Sequence, residues 1–160
     1  MRFSFLLALA LSALPAAAQD APGRSDVEQT LEATIAADGV HVVHFWAPWC
    51  GNSMTELQNG LYEVIEAHPD VSFTFVAIRN GVENGADTLA RYGIPDRVQM
   101  LVHASGAREQ TFLGLPVSWT PTTWIFNRNG KLAYAFNYGE VSNALLTQAI
   151  ADAHDDWFHD

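Results

Sequence analysis

Val42-Val43-His44-Phe45-Trp46-Ala47-Pro48-Trp49-Cys50-Gly51-Asn52-Ser53-Met54, residues 42–54, is the stretch whose reading decides the fold. It opens on a β-branched and aromatic run (Val42, Val43, Phe45, Trp46) that stops at Pro48. One cysteine, Cys50, follows, and behind it an amphipathic pattern begins with Met54, Leu57, Leu61, Val64 and Ile65. That order predicts a buried strand, a tight turn, and a helix over residues 50–67 whose first turn carries a thiol. Unpaired N–H groups and the helix dipole stabilise negative charge at such a position, which favours a reactive sulfur. Cys50 is the only cysteine of the 160 residues, so it forms no bridge within the chain. A lone thiol is either a small buried hydrophobe or a reactive group. Its setting at a strand-to-helix turn, between Trp49 and Gly51, favours the second.

The rest of the chain supplies a frame for that unit. Residues 25–28, Ser-Asp-Val-Glu, have the form of a capping box ahead of a helical run through Val27, Leu31 and Ile35. Strands are expected over residues 40–46, 71–78 and 98–103. A polar loop over 79–85, a short helix over 86–92 closed by Gly93, and a weak helix over 107–113 lie between or beside them. Strand and helix alternating in this way predict a sheet with a parallel core and right-handed crossovers. The last third changes character. Residues 122–127 and 131–138 read as strands joined across Arg128-Asn129-Gly130, where Asn-Gly is a hairpin signal. An amphipathic helix over 142–153 follows, with Leu145, Leu146, Ala149 and Ile150 along one side.

Composition bounds the function. A hydrophobic fraction of 49% with 16% charged residues is that of a globular chain, and a formal charge of −10 argues against nucleic acid or an anionic membrane as partner. Residues 1–18 combine Arg2, an apolar run about half the length of a membrane span, and Ala16-Ala17-Ala18 as a small-residue cleavage site. They read as a signal peptide, followed by a linker (19–24), one domain (25–153) and a tail (154–160). The protein is therefore expected to be exported, periplasmic if bacterial, with no stable membrane anchor after cleavage.

Phe45-Trp46-Ala47-Pro48-Trp49-Cys50-Gly51 resembles the active-site segment of thioredoxin-like proteins, and Trp119-Thr120-Pro121-Thr122 resembles their cis-proline loop. The segment between Arg79 and Trp119 is similar to the insertion of the TlpA-like branch of exported thiol–disulfide oxidoreductases. The resemblance spans about residues 25–153. It implies a thioredoxin fold: a central mixed sheet, parallel core plus C-terminal antiparallel hairpin, flanked by helices. It also implies catalysis through Cys50 with Pro121 facing it, and a client groove formed by Trp49, Gly51, Asn52, Trp119 and Thr120. Where the family continues Cys-Gly-Pro-Cys, this chain has Cys50-Gly51-Asn52-Ser53. Ser53 takes the resolving position, where it can hydrogen-bond the thiolate or cap the helix but cannot release a mixed disulfide. The implied activity is monothiol exchange with protein clients or small thiols, oxidoreductase- or isomerase-like, completed by an external reductant thiol and needing no cofactor.

Competing readings are few. His44 occupies the strand position where thioredoxins carry a buried acid, and a hydrogen-bonded core histidine is favoured there over a catalytic one. Cys50 and Met54, four apart, offer soft sulfur to Cu(I), although Met54 also fits the core stripe. His41 and His44 point to opposite faces of a strand. The acidic and histidine-containing tail, 154–160, reads as a solvated terminus. Peroxiredoxins place threonine three residues before the reactive cysteine, where this chain has Ala47. A monothiol glutaredoxin analogy rests on Cys50, Gly51 and Ser53 alone. The alternative from another class is a redox-inactive binding module that keeps the groove for a protein partner or copper.

Overall fold

A computed structural model describes residues 25–79, 85–106 and 110–155. The proposed signal peptide, the linker and residues 156–160 of the tail lie outside these. Helix α1 (Asp26–Ile35) starts at the expected capping box. Ser25 Oγ accepts from Glu28 N–H, and the Glu28 carboxylate accepts from Ser25 N–H. Strand β1 (His41–Trp46) is the central strand of a five-stranded sheet, with β2 (Ser72–Ala77) and β3 (Gln99–Val102) parallel on one side. On the other side β6 (Thr122–Phe126) runs antiparallel to β1, and β7 (Leu132–Asn137) antiparallel to β6. The order β3-β2-β1-β6-β7 is the mixed sheet the sequence implies.

Both faces of this sheet are covered, which is why β1 is buried at every position. Alternate side chains of a strand point to opposite faces, so β1 feeds two cores. Val42 and Trp46 join the larger one, under helices α2 (Gly51–Gln58), α3 (Leu61–Ala67) and α5 (Asn143–His154). Val43 and Phe45 join the smaller, with Leu31 of α1 and Trp124. Phe45 stacks edge-on to Trp124, with ring centroids 4.7 Å apart. Burying side chains of this size contributes roughly 1.5–3 kcal/mol each.

Three expectations need correction. The helix read over residues 50–67 is two helices. Gly60, at φ +86°, takes a left-handed turn between α2 and α3, a conformation that costs a residue with a Cβ about 1 kcal/mol or more. The weak helix read over 107–113 is, in its described part, strand β4 (Gln110–Phe112). It pairs antiparallel with β5 (Leu115–Val117), and Phe112 and Val117 complete the smaller core. Alternating burial at Gln110, Thr111 and Phe112, with Leu113-Gly114 as a turn of positive φ, explains the strand. The Asn-Gly signal marks a real hairpin, but its strands, β6 and β7, each stop one residue short of the bounds expected at the turn. Asn127 Oδ1 accepts from the N–H of Asn129 and of Lys131, and Gly130 sits at φ +69° where a Cβ would lie 2.9 Å from Ile35 O. Helix α4 (Gly85–Arg91) takes in Gly85, read as loop, and α5 continues one residue past Ala153. No helix among the described residues is long and apolar enough to cross a membrane.

Candidate active site

The site lies where the parallel strands end. β1 and β2 are in register to Trp46 opposite Ala77, so the loops that leave them emerge side by side. From β1 the chain turns through Ala47, Pro48 and Trp49, closed by Cys50 N–H donating to Ala47 O at 3.0 Å. Cys50 is then the residue before α2, in extended backbone geometry, and its side chain does not cap the helix. Its thiol instead donates to Thr120 O, with Sγ 3.4 Å from the oxygen. The Thr120–Pro121 peptide bond is cis. Thr120 N–H makes no hydrogen bond to any described residue. Cys50, a partly exposed residue, thus lies beside a backbone donor that no described residue takes.

Two tryptophans frame it. Trp49 is 59% exposed and Trp119 62%, whereas Trp46 is fully buried in the larger core. Trp46 follows the strand alternation inward; Trp49 and Trp119 sit on turns. Gly51 and Asn52 open α2 in full exposure, and Gly51 has open space where a Cβ would stand. Arg79, which the sequence reading passed over as loop, ties the two halves together. Its carbonyl accepts from Trp49 Nε1–H at 3.0 Å, and its Nη2 donates to Ser118 O at 2.6 Å. The signal for it lay in topology: Arg79 follows β2 as Cys50 follows β1, at the carboxyl edge of adjacent parallel strands, where sites of α/β sheets form.

Beneath this surface lies a second, closed group. Ser53 is fully buried, and its Oγ accepts from Ala47 N–H at 3.3 Å. The serine hydroxyl therefore holds the turn ahead of Cys50 and makes no hydrogen bond to the thiol. His44 is 2% exposed; its ring packs on Phe75 with centroids 4.7 Å apart, and Nδ1 lies 2.9 Å from Thr123 Oγ1. Its Nε2 has no hydrogen-bond partner and lies 3.9 Å from Glu56 Oε2. Burial pushes the His44 imidazole down to about 3 and the Glu56 carboxyl up to about 7. Between those values both groups are uncharged, so their approach is not an ion pair. Glu56 also lines a cavity of about 390 Å³ with Asn59, Thr123, Ser142 and Asn143.

For metals, the described residues assemble no group of three His, Cys, Asp or Glu side chains that could hold an ion. Met54 packs against the larger core. His41 turns its Nε2 to Ala37 O, away from His44. His154 lies between Asp70, at 3.5 Å, and Arg128, at 3.3 Å.

Solved structures share the fold. A secreted disulfide oxidoreductase of Mycobacterium tuberculosis, homologous to E. coli DsbE, matches with a TM-score of 0.57 at 22% identity, over 74% of this chain and 84% of its own. A thioredoxin described as putative, from Neisseria meningitidis, matches with a TM-score of 0.62 at 18% identity, over 79% and 82%. The chain has the thioredoxin fold. Within the thioredoxin fold it is also similar to a secreted thiol-disulfide isomerase of Corynebacterium glutamicum, with a TM-score of 0.59 at 16% identity, over 78% of this chain and 75% of that one. No protein-family model and no curated protein sequence matches the chain. In this fold Cys50, Thr120 and Pro121 meet at one point, while Ser53 and His44 lie below it.

Proposed function

We propose that this is an exported thiol–disulfide exchange protein working through Cys50 alone, of oxidoreductase or isomerase type. The observation that carries the reading is partly exposed Cys50, its sulfur 3.4 Å from Thr120 O, with two exposed tryptophans alongside and a backbone N–H of Thr120 that no described residue takes. An extended client segment can pair with Thr120 as an added strand, which brings its disulfide onto Cys50. Trp49 and Trp119 supply apolar contact, and Gly51 and Asn52 leave room above the helix start. The names of the matched structures, disulfide oxidoreductase and thiol-disulfide isomerase, support this class.

The chemistry is conservative in electrons. Cys50 thiolate attacks one sulfur of the client disulfide; a Cys50–client disulfide forms and the second client sulfur leaves as thiolate. With serine at position 53, the mixed disulfide then waits for a thiol from outside. That thiol, as thiolate, attacks, takes the client sulfur into a new disulfide and returns Cys50 reduced. Clients of this cycle are protein disulfides or small thiols. The secreted proteins among the matched structures fit the signal peptide read at residues 1–18.

The test is the rate at which native Cys50 forms a mixed disulfide with 2-hydroxyethyl disulfide, against the same chain in denaturant. A native rate well above the denatured one supports exchange. A native rate at or below it returns the redox-inactive binding module instead.

A further inference from the structure

We infer that Arg79 reads a carboxylate next to the disulfide that Cys50 attacks, so that the site selects anionic clients. This rests on the exchange reading above and names its substrate class.

Arg79 is placed with unusual care for a loop residue. Its φ of +54° is left-handed, a region that non-glycine residues seldom enter. That backbone turn presents its carbonyl to Trp49 Nε1 while the guanidinium reaches across to Ser118 O. Glycine would take the same turn without strain, so the side chain is what arginine adds here. Of the guanidinium's five N–H donors, Ser118 O takes one, and no other side-chain hydrogen bond of Arg79 forms with a described residue. Its Nε is buried without a partner. No described carboxylate lies within ion-pair distance of it. Among the described residues this charge is uncompensated, in a chain of formal charge −10 with eight basic residues in all.

Its position fits a substrate rather than a fold contact. Ser118 precedes Thr120 by two residues, and an extended strand advances about 3.3 Å per residue. A client strand paired at Thr120, with its sulfur on Cys50, therefore passes the guanidinium within one or two residues of that sulfur. A guanidinium with free donors in a fixed fork is suited to a carboxylate there. The carboxylate can belong to a small peptide thiol or to an acidic residue of a protein client; the recognition chemistry is the same.

The test compares rates of mixed-disulfide formation on Cys50, followed by intact mass at low salt. The probes are oxidised glutathione (anionic), 2-hydroxyethyl disulfide (neutral) and cystamine (cationic), on native, Arg79→Gln and Arg79→Lys protein. The ratio of the anionic to the neutral rate is expected to fall about fivefold in Arg79→Gln, what one charge contributes at contact distance in water. Arg79→Lys is expected to retain most of it, the cystamine-to-neutral ratio to rise in Arg79→Gln, and 0.5 M salt to flatten the differences. Two cysteine-peptide disulfides, with aspartate or asparagine beside the sulfur, separate the sources. A fall confined to glutathione assigns a small thiol; a fall shared by the aspartate peptide assigns an acidic protein segment. Unchanged ratios in Arg79→Gln overturn the assignment of Arg79 and leave exchange standing. A protein that reacts with none of the probes overturns both.

Discussion

The surface around Cys50 and the group directly beneath it are built on opposite terms. Above, Trp49 and Trp119 are exposed, Thr120 N–H is unpaired among the described residues, and the Cys50 thiol donates to the Thr120 carbonyl. Below, Ser53 and His44 are sealed in, Ser53 is committed to Ala47 N–H, and His44 and Glu56 face one another uncharged over most of the acidic range. On the exchange function proposed above, the upper layer keeps what the first half of the reaction needs: a nucleophile, an edge to bind a client, and an apolar frame. The lower layer keeps nothing that completes it. A serine stands where a second thiol would resolve the adduct, and its hydroxyl serves the turn. The difference teaches that, on that proposal, starting an exchange and finishing it rest on different residues, so the groove can stand without a resolving thiol.

Five substitutions break or sharpen that contrast. The largest effect belongs to Cys50→Ser, which is expected to abolish adduct formation with every disulfide while leaving the thermal midpoint within a few degrees. Any surviving adduct, seen by intact mass, would remove the upper layer's nucleophile from the account. Next is Ser53→Cys, which places a thiol in the lower layer. The mixed disulfide is expected to accumulate roughly tenfold less or lower still, because an intramolecular thiol acts at millimolar effective concentration. An internal disulfide, seen as the loss of two hydrogens, should appear in its place.

The lower layer's own signature is its pH dependence. Glu56 is raised from 4.5 unfolded to about 7 folded, so its burial costs stability as pH climbs past 4.5, and the full cost is present above 7. Glu56→Gln is thus expected to gain about 2 kcal/mol at pH 8 and nearly nothing at pH 4, read by urea denaturation. His44 acts in the reverse sense. With its value lowered from 6.5 to about 3, it leaves stability intact above 6.5 and withdraws it as pH falls toward 3. His44→Asn should flatten that acid-side loss. The smallest effect is expected for Trp119→Ala: slower adduct formation with a protein disulfide, by about fivefold, and a stability change within about 0.5 kcal/mol. A large loss of stability would make Trp119 a core residue, against its exposure.

Much of this was legible in the chain. The run Val42 to Trp46 reads as a buried strand because β-branched and aromatic residues without charge leave no other place for it, and Ser25 to Glu28 announces a helix start by hydrogen-bond chemistry alone. Thr120-Pro121 was recognisable through likeness to a known loop, since most X-Pro bonds are trans. Other features were hidden for physical reasons. Gly60 gives no local sign of whether it weakens a helix or divides it; packing of α3 on the sheet decides. Residues 110–117 form a hairpin because Phe112 and Val117 fill the gap beside Phe45, a contact made across more than sixty residues. Arg79 and Glu56 carry no motif. They enter the site through the register of β1 with β2 and through the helix face shared with Ser53, both of which appear only once the chain is folded.

The most direct test of the central claim, that Cys50 starts an exchange this chain cannot finish, is a single-turnover experiment. The full-length chain is given one equivalent of a disulfide-linked peptide pair, and the Cys50 adduct is followed by intact mass before and after free glutathione is added. The account expects one adduct on Cys50 that persists unchanged until the thiol arrives, then decays at a rate proportional to thiol concentration. An adduct that decays on its own, at a rate independent of added thiol, or that never forms, would contradict it.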